Sequence, residues 1–254
     1  MKIHPTAIVE ADDLPSDVVI GPWAYVQSGV RIGAGCLIAA RATICSGVVL
    51  GNSVEVGIGA VVGEAPQDKK YRGEKTELIV EDGVVIREYA TLHRATSVEK
   101  PTRVGERSLI MAYAHVAHDC QIGKDSVLSN GVQLAGHVLL GAGCNLGGLS
   151  AVHQFCVLGD GVFVAGLSKV DRDVPPFSKA IGNPARWGGF NRLGAERLGF
   201  SKEEVERREQ ALRLIYRKKI STEEALKELS SRSSLPEYHW FCAVRKSSLI
   251  QLPR

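Results

Sequence analysis

Aliphatic residues recur at every sixth position over most of this chain. Stepping by six from Ile8 to Val170, 26 of 28 positions are Ile, Leu or Val; the exceptions are Asp68 and Glu74. The residue after the aliphatic is often glycine, as at Gly21, Gly33, Gly57, Gly123 and Gly147. Four after it stands a small or β-branched residue, as at Ala24, Val30, Cys36, Ala114, Cys120 and Val132. Neither a helical period nor a simple alternation produces a period of six. Each hexad predicts one short strand and a turn. The aliphatic and the small residue point into a narrow core, and glycine permits the turn. Units too small to bury an apolar face alone can bury one by stacking, so the pattern predicts a β-solenoid.

The hexad resembles that of the hexapeptide-repeat acyltransferases. This resemblance implies a left-handed parallel β-helix with three strands per coil, hence 18 residues per coil and coils about 4.8 Å apart. The register lapses across residues 63–77, GEAPQDKKYRGEKTE, a polar stretch punctuated by Gly and Pro that reads as a loop thrown out of the solenoid. Residues 96–103 suggest a second, smaller excursion. After Val170 the repeat stops. Ser201 with Glu204, Ser221 with Glu224 and Ser234 with Glu237 then match capping boxes. Leu212, Ile215 and Tyr216 form one apolar stripe, and Ala225, Leu226 and Leu229 another. The expected organisation is a β-helix over 1–187 and a helical domain over 188–254, whose simplest role is to cover the end of the solenoid.

Composition narrows the classes. Hydrophobic residues make up 44% and charged residues 23%, as in an ordinary globular chain. No apolar run approaches a membrane span. The N-terminus enters the repeat without a basic stretch and an apolar run, so the expectation is a cytoplasmic protein. Residues 207–254 carry eleven Lys and Arg against five Asp and Glu. They form either a solvated helical surface or a docking surface for an acidic partner. Without aromatic interleaving or a motif they do not suggest nucleic-acid binding. Cys36, Cys120, Cys144 and Cys156 fall on the small inward position. Two coils separate Cys120 from Cys156, roughly 10 Å, too far to bridge, so these read as reduced core residues.

Candidate chemistry lies in the histidines. On division by 18, His118, His137 and His153 leave remainders 10, 11 and 9, which places them on one edge of the solenoid on three successive coils. His115 lies three residues before His118; His93 and His4 fall outside the group. A lone outward histidine is usually decoration, but a column is not. One reading is a metal site, although a column on one chain is too spread for the tight tetrahedron of zinc. The other is a general base, with Asp119 orienting the imidazole of His118 and raising its basicity. Gly136, one coil on, could turn a bare backbone N–H toward an oxyanion.

Longer motifs sharpen the resemblance. HVAHDC (115–120), LAGHV (134–138), AVHQF (151–155), DVPPF (173–177), GNPAR (182–186), QDKKYRGE (67–74), FNRLGAERLGFS (190–201) and LRLIYR (212–217) resemble the UDP-N-acetylglucosamine O-acyltransferase family, which begins lipid A synthesis. The resemblance implies transfer of an (R)-3-hydroxyacyl group from acyl carrier protein to the 3-hydroxyl of UDP-N-acetylglucosamine. It implies a homotrimer with sites between subunits, and neither a metal nor a redox cofactor. His118 and Asp119 then match the base and its partner, and Gly136 the oxyanion donor. His115, His137, His153 and Gln154 match residues lining the sugar and acyl site. Gln67, Asp68 and Lys70 match a loop reaching the substrate from a neighbouring subunit. Asn191 and Arg197 match the nucleotide segment, and Gly166 the end of the acyl groove. The family usually has a second basic residue where Leu198 stands and often an acidic one where Leu193 stands. The residues also leave open an N-acyltransferase acting on a 3-amino nucleotide sugar, a zinc-dependent hydratase of the same repeat class, and a scaffold without catalysis.

Overall fold

The computed structural model describes residues 2–216, 221–231, 235–244 and 249–251. The strands among them, mostly two residues long, form three sheets of 11, 9 and 7 strands. Wrapped together, these are the three faces of a left-handed parallel β-helix. Ile110, Leu128 and Leu146 pair in series on the first face; Val116, Leu134 and Val152 on the second; Ile122, Leu140 and Leu158 on the third. Successive partners stand three hexads apart, one full coil. In a two-residue strand one side chain points out and the other in. The inward ones, with the small residue of each turn, fill the core: Ala114, Val116, Cys120, Ile122 and Val132 are all buried.

The glycines after the aliphatic are required for a different reason from the one the sequence suggested. Gly33, Gly57, Gly123 and Gly147 are absent from the left-handed region. Instead, a Cβ on Gly123 would lie 2.5 Å from the carbonyl carbon of Gly141, and one on Gly33 equally close to Gly51. These positions lack side chains because the next coil's backbone passes there. The left-handed conformation falls two positions later, at every sixth residue, and many non-glycine residues adopt it: Trp23, Arg41, Tyr113, Asp119, His137, Phe155 and Leu167.

Two repeat assignments change. At the N-terminus Ile3 pairs with Ile20 and Val9 with Val26, one position short of three hexads. Val9 therefore takes the inward place, and Ile8 is 60% exposed. Val98 is 69% exposed because it lies in a loop. The polar stretch leaves the second face after Glu64 and rejoins the third at Leu78; the second excursion runs from Arg94 to Pro101, and Thr102 already belongs to a strand. Leu50 pairs with Val80, five hexads on, and Val80 with Val104, four hexads on. The two loops thus add two hexads and one hexad to a coil of three. Both additions are whole hexads, so the six-residue count passes through Val98 without a break.

Ser178–Ile181 continues the first face and Arg186–Phe190 pairs antiparallel to it. Among the described residues four helices follow: α1 (Arg192–Arg197), α2 (Lys202–Ile215), α3 (Thr222–Ser230) and α4 (Pro236–Val244). The boxes at Ser201 and Ser221 cap α2 and α3 with reciprocal hydrogen bonds. Ser234 and Arg217 lie outside the described residues. Leu212, Ile215, Ala225, Leu226 and Leu229 are buried in a second apolar cluster that reaches Phe177 and Val157, an outward residue of the third face. The helices therefore cover the flank of the last coils, while Ala185 and Ile250 join the core of the prism.

The close coil stacking gives a direct expectation. Gly123→Ala, at an ordinary φ, should destabilise the protein by about 1–3 kcal/mol through backbone overpacking. Thermal denaturation measures this. A melting temperature equal to the parent's would mean the coils separate there at no cost.

Candidate active site

Strand His115–Val116 lies on the second face and Gln121–Ile122 on the third. The four residues between them turn the edge where those faces meet. Both loops leave the prism on this same edge, between the second and third faces. His118 and Asp119 stand at the turn, Asp119 in the left-handed conformation at φ 62°. Asp and Asn accept that region more readily than most residues.

The His118 Nδ1 to Asp119 Oδ2 distance is 2.7 Å. Burial alone would push the Asp119 carboxyl up. Hydrogen bonds from His118, from the Thr96 hydroxyl and amide, and the charge of His137 outweigh this and hold it below the usual range. The carboxylate is therefore ionised at neutral pH and only accepts hydrogen bonds. His118 must then carry its proton on Nδ1, and the neutral ring has its lone pair on Nε2. This is the tautomer a general base requires.

The next coil adds His137, whose ring meets His118 edge-on at 5.2 Å and whose Nε2 lies 3.5 Å from Asp119 Oδ2. Phe155, one coil further, stacks on His137 at 4.6 Å. The column is thus His118, His137 and Phe155. His153 stands beside it, exposed, with Nδ1 3.1 Å from the Gln154 carbonyl oxygen; Gln154 is exposed on the same turn. Gly136 lies beneath His118: a Cβ there would come within 2.5 Å of the ring's Cε1. Any other residue at 136 would displace the imidazole.

His115, outward on the second face, places Nδ1 2.8 Å from the Thr91 hydroxyl. Burial, then the nearby His93 and His118, push this imidazole down to about 4, so it is neutral near pH 7. His93 joins the site, although the division by 18 left it out. Its ring meets His115 edge-on at 5.1 Å, and its Nδ1 donates to the Ala65 carbonyl at 2.6 Å, fastening the base of the long loop. The arithmetic failed because an extra hexad lies between His93 and His115. Counted through the strand pairing of Thr91 with His115 and Leu92 with Val116, His93 falls beside the column.

In the long loop, Gln67 and Lys70 are exposed and Asp68 is half-buried, accepting from the Lys70 amide at 2.8 Å. The charge of Asp68 raises, weakly, the basicity of His137 on the same chain.

Three expected residues lie elsewhere. Asn191 and Arg197 line a cavity of about 660 Å³ with Asp125, Asn145, Phe163 and Lys179, over the first face and the edge it shares with the third. The side chain of Asn191 caps α1 at Gly194 and donates to the Gly161 carbonyl at 2.9 Å, tying the helix to the prism. Leu198, in the same cavity, packs over Gly143. Gly166 sits on the remaining edge, between the first and second faces. One chain therefore distributes the expected residues over all three edges.

Could the His–Asp cluster hold a metal? Ligand atoms of His118, Asp119 and His137 lie within 4.8 Å of one another. Two ligands of one zinc stand ~3.3 Å apart at bonds of about 2.0–2.1 Å. The 2.7 Å contact is a hydrogen bond, and the same Oδ2 also accepts from Thr96 at 2.7 Å. The arrangement is that of a hydrogen-bonded imidazole–carboxylate pair.

Comparison with known proteins places the chain in a family. The family model for bacterial transferase hexapeptide repeats matches residues 15–46 and 101–136, and the model for domain 2 of UDP-N-acetylglucosamine O-acyltransferase matches 173–249. A Synechocystis relative named acyl-(acyl-carrier-protein)–UDP-N-acetylglucosamine O-acyltransferase is 41% identical over 80% of this chain and 76% of its own length. One from Anaeromyxobacter dehalogenans, named alike, is 39% identical over 98% of both chains. The crystal structure of UDP-N-acetylglucosamine O-acyltransferase from Moraxella catarrhalis superposes with a TM-score of 0.92 at 36% identity, covering 99% of this chain and 100% of that one. The UDP-N-acetylglucosamine acyltransferase from Campylobacter jejuni gives 0.90 at 35%, covering all of both chains. The fold and repeat define a hexapeptide-repeat transferase. More narrowly, the chain belongs to the UDP-N-acetylglucosamine O-acyltransferase family.

The neutral His115 predicts a pH dependence. Its folded value of about 4 lies below the ordinary 6.5, so in that window the unfolded chain binds more protons. Stability should fall as pH drops from about 6.5 toward 4, and His137, also held down chiefly by burial, acts in the same direction. Melting curves across this range should show a smaller loss for His115→Gln than for the parent. Equal losses would mean the imidazole is not desolvated.

Proposed function

We propose that this chain transfers an (R)-3-hydroxyacyl group from the thioester of acyl carrier protein to the 3-hydroxyl of UDP-N-acetylglucosamine, the step that begins lipid A synthesis. The observation carrying this reading is the His118–Asp119 pair, with Nδ1–H held by the carboxylate and Nε2 left as acceptor, in a member of this family. His118 Nε2 takes the proton of the sugar 3-hydroxyl as its oxygen attacks the thioester carbonyl. The Gly136 amide stabilises the oxyanion. The C–O bond forms, the C–S bond breaks, and the imidazolium returns its proton to the departing carrier thiol. Nothing in these steps calls for a metal or a redox cofactor.

His115, His137, His153, Gln154, Gln67, Asp68 and Lys70 border the reaction edge and bind the sugar and the acyl head. Asn191 and Arg197 serve the nucleotide, and Gly166 the far end of the acyl chain. Since one chain places these groups on three edges, a neighbouring copy completes each site, which favours the homotrimer. Exposed apolar side chains along the edge between the first and second faces (Trp23, Tyr89, Tyr113, Leu149 and Leu167) supply a surface for that contact. The basic segment after residue 207 suits an acidic carrier. No helix among the described residues is long and apolar enough to cross a membrane, and the reaction proposed belongs in the cytoplasm, with its carrier protein. Leu193 and Leu198 bear on the acceptor. A 3-amino sugar would yield an amide by the same chemistry, so an assay offering both nucleotide sugars decides between them.

His118→Ala should lower turnover by ~10²–10⁴-fold, the usual worth of a positioned base, with the melting temperature unchanged. Activity within a few-fold of the parent would remove His118 from that role.

Gly166→Met should shift donor preference toward shorter acyl chains. A Cβ here would sit tightly, 3.3 Å from the Gly148 carbonyl oxygen, but at a φ outside the left-handed region, so the fold of the variant is checked by its melting temperature. Competition between long and short acyl-carrier donors measures the shift; an unchanged preference would place the chain's limit elsewhere.

A further inference from the structure

The shorter excursion, Arg94–Pro101, emerges on the reaction edge one coil before His118, and its neck is pinched. The amides of Ala95 and Thr102 both donate to the Glu77 carbonyl at 3.1 Å. Gln121 Nε2 donates to the Pro101 carbonyl at 2.7 Å. Two threonines at this neck face Asp119. The Thr96 amide donates to Oδ1 at 3.0 Å and its hydroxyl to Oδ2 at 2.7 Å. The Asp119 amide donates to the buried Thr102 hydroxyl at 2.8 Å. Asp119 is therefore gripped at both its carboxylate and its backbone.

We infer that Thr96 is a positioning residue for the acyl transfer, setting through Asp119 the orientation and basicity of His118. This rests on the reading of His118 as the base. Oδ2 is shared: it accepts from Thr96 Oγ1 and from His118 Nδ1, both at 2.7 Å. The hydroxyl draws charge from the oxygen that would stabilise the imidazolium, and it fixes the carboxylate plane in which the His118 N–H lies. The other groups facing the pair are His137 on the next coil, His115 and His93 on the second face, and Asp68, whose charge reaches His137. None of them bonds to Thr96, so changing it leaves their contacts intact. The loop thus does more than decorate the solenoid. A hexad inserted on this edge supplies the hydroxyl that orients the carboxylate.

The test is Thr96→Val, nearly isosteric, which removes the hydroxyl and keeps the backbone donor to Oδ1. Charge-assisted hydrogen bonds suggest a fall in kcat of about tenfold with little change in KM. The acid limb of kcat/KM should move to higher pH, because Asp119 then holds the imidazolium more strongly. Thr96→Ser should restore both. Titration of the ring by NMR in parent and Thr96→Val gives a readout independent of turnover. Parental kcat and an unmoved acid limb in a Thr96→Val protein with the parent's melting temperature would overturn the inference. So would a Thr96→Ser variant as impaired as Thr96→Val, which would mark a structural role only. Failure of the base assignment looks different: His118→Ala would stay active, while the ring titration would still report whether Thr96 acts on the pair.

Discussion

A coil of this protein cannot satisfy its own backbone. Leu109 N–H donates to the Ser126 carbonyl, Val127 to Cys144 and Asn145 to Val162, each at 2.8 Å, so every strand is completed by the coil that follows. Parallel pairing at this spacing leaves no space where the backbone turns. That is why glycine follows the aliphatic, why alanine, cysteine and serine fill the corners, and why core thiols donate to carbonyls of the next coil, as Cys120 does to Ala135. Burial pushes the Cys120 and Cys156 thiols up to about 12, so these cysteines act as small apolar fillers and not as nucleophiles.

The same stacking builds the reaction edge. A side chain at one turn is followed by its counterpart one coil away, close enough for ring contact, as between His137 and Phe155. The solenoid alone supplies such columns and neighbours along one turn, such as His118 and Asp119, and the two loops add groups that approach from the side. One brings Asp68 toward His137 and is fastened by His93; the other brings Thr96 to Asp119. Both add whole hexads, so the coils beyond them resume in register.

Much of this is legible in the sequence because the period carries position as well as structure. Division by the coil length placed His118, His137 and His153 on one edge. It failed for His93 because the added hexad changes the position within the coil while preserving the six-residue count. It failed for Val98 for the converse reason, since an exposed loop residue fell in step with the core. Thr96 gave no signal: a threonine in a polar loop becomes informative only once the loop's neck is known to close on Glu77. Ile8 and the glycines were read from the average hexad, which reports neither a first coil one position short nor the difference between a strained φ and a crowded Cβ.

A convex edge is a poor place for acyl transfer. The side chain of His137 is 38% exposed in the single chain, and a thioester beside a basic imidazole in open water invites hydrolysis. Enzymes that move reactive groups between substrates exclude water from the reaction. The two loops cover part of this edge but not the turn at His153 and Gln154, both exposed. A second prism laid against the first would supply the missing wall. It would also bury the aromatic and aliphatic side chains from Trp23 to Leu167 that a lone chain presents to solvent, and bring the cavity lined by Asn191 and Arg197, the proposed nucleotide site, to a reaction edge. In the proposed assembly, the pairing that hides apolar surface and the pairing that closes the site are one contact, so loss of assembly would expose the base and divide the substrate site together.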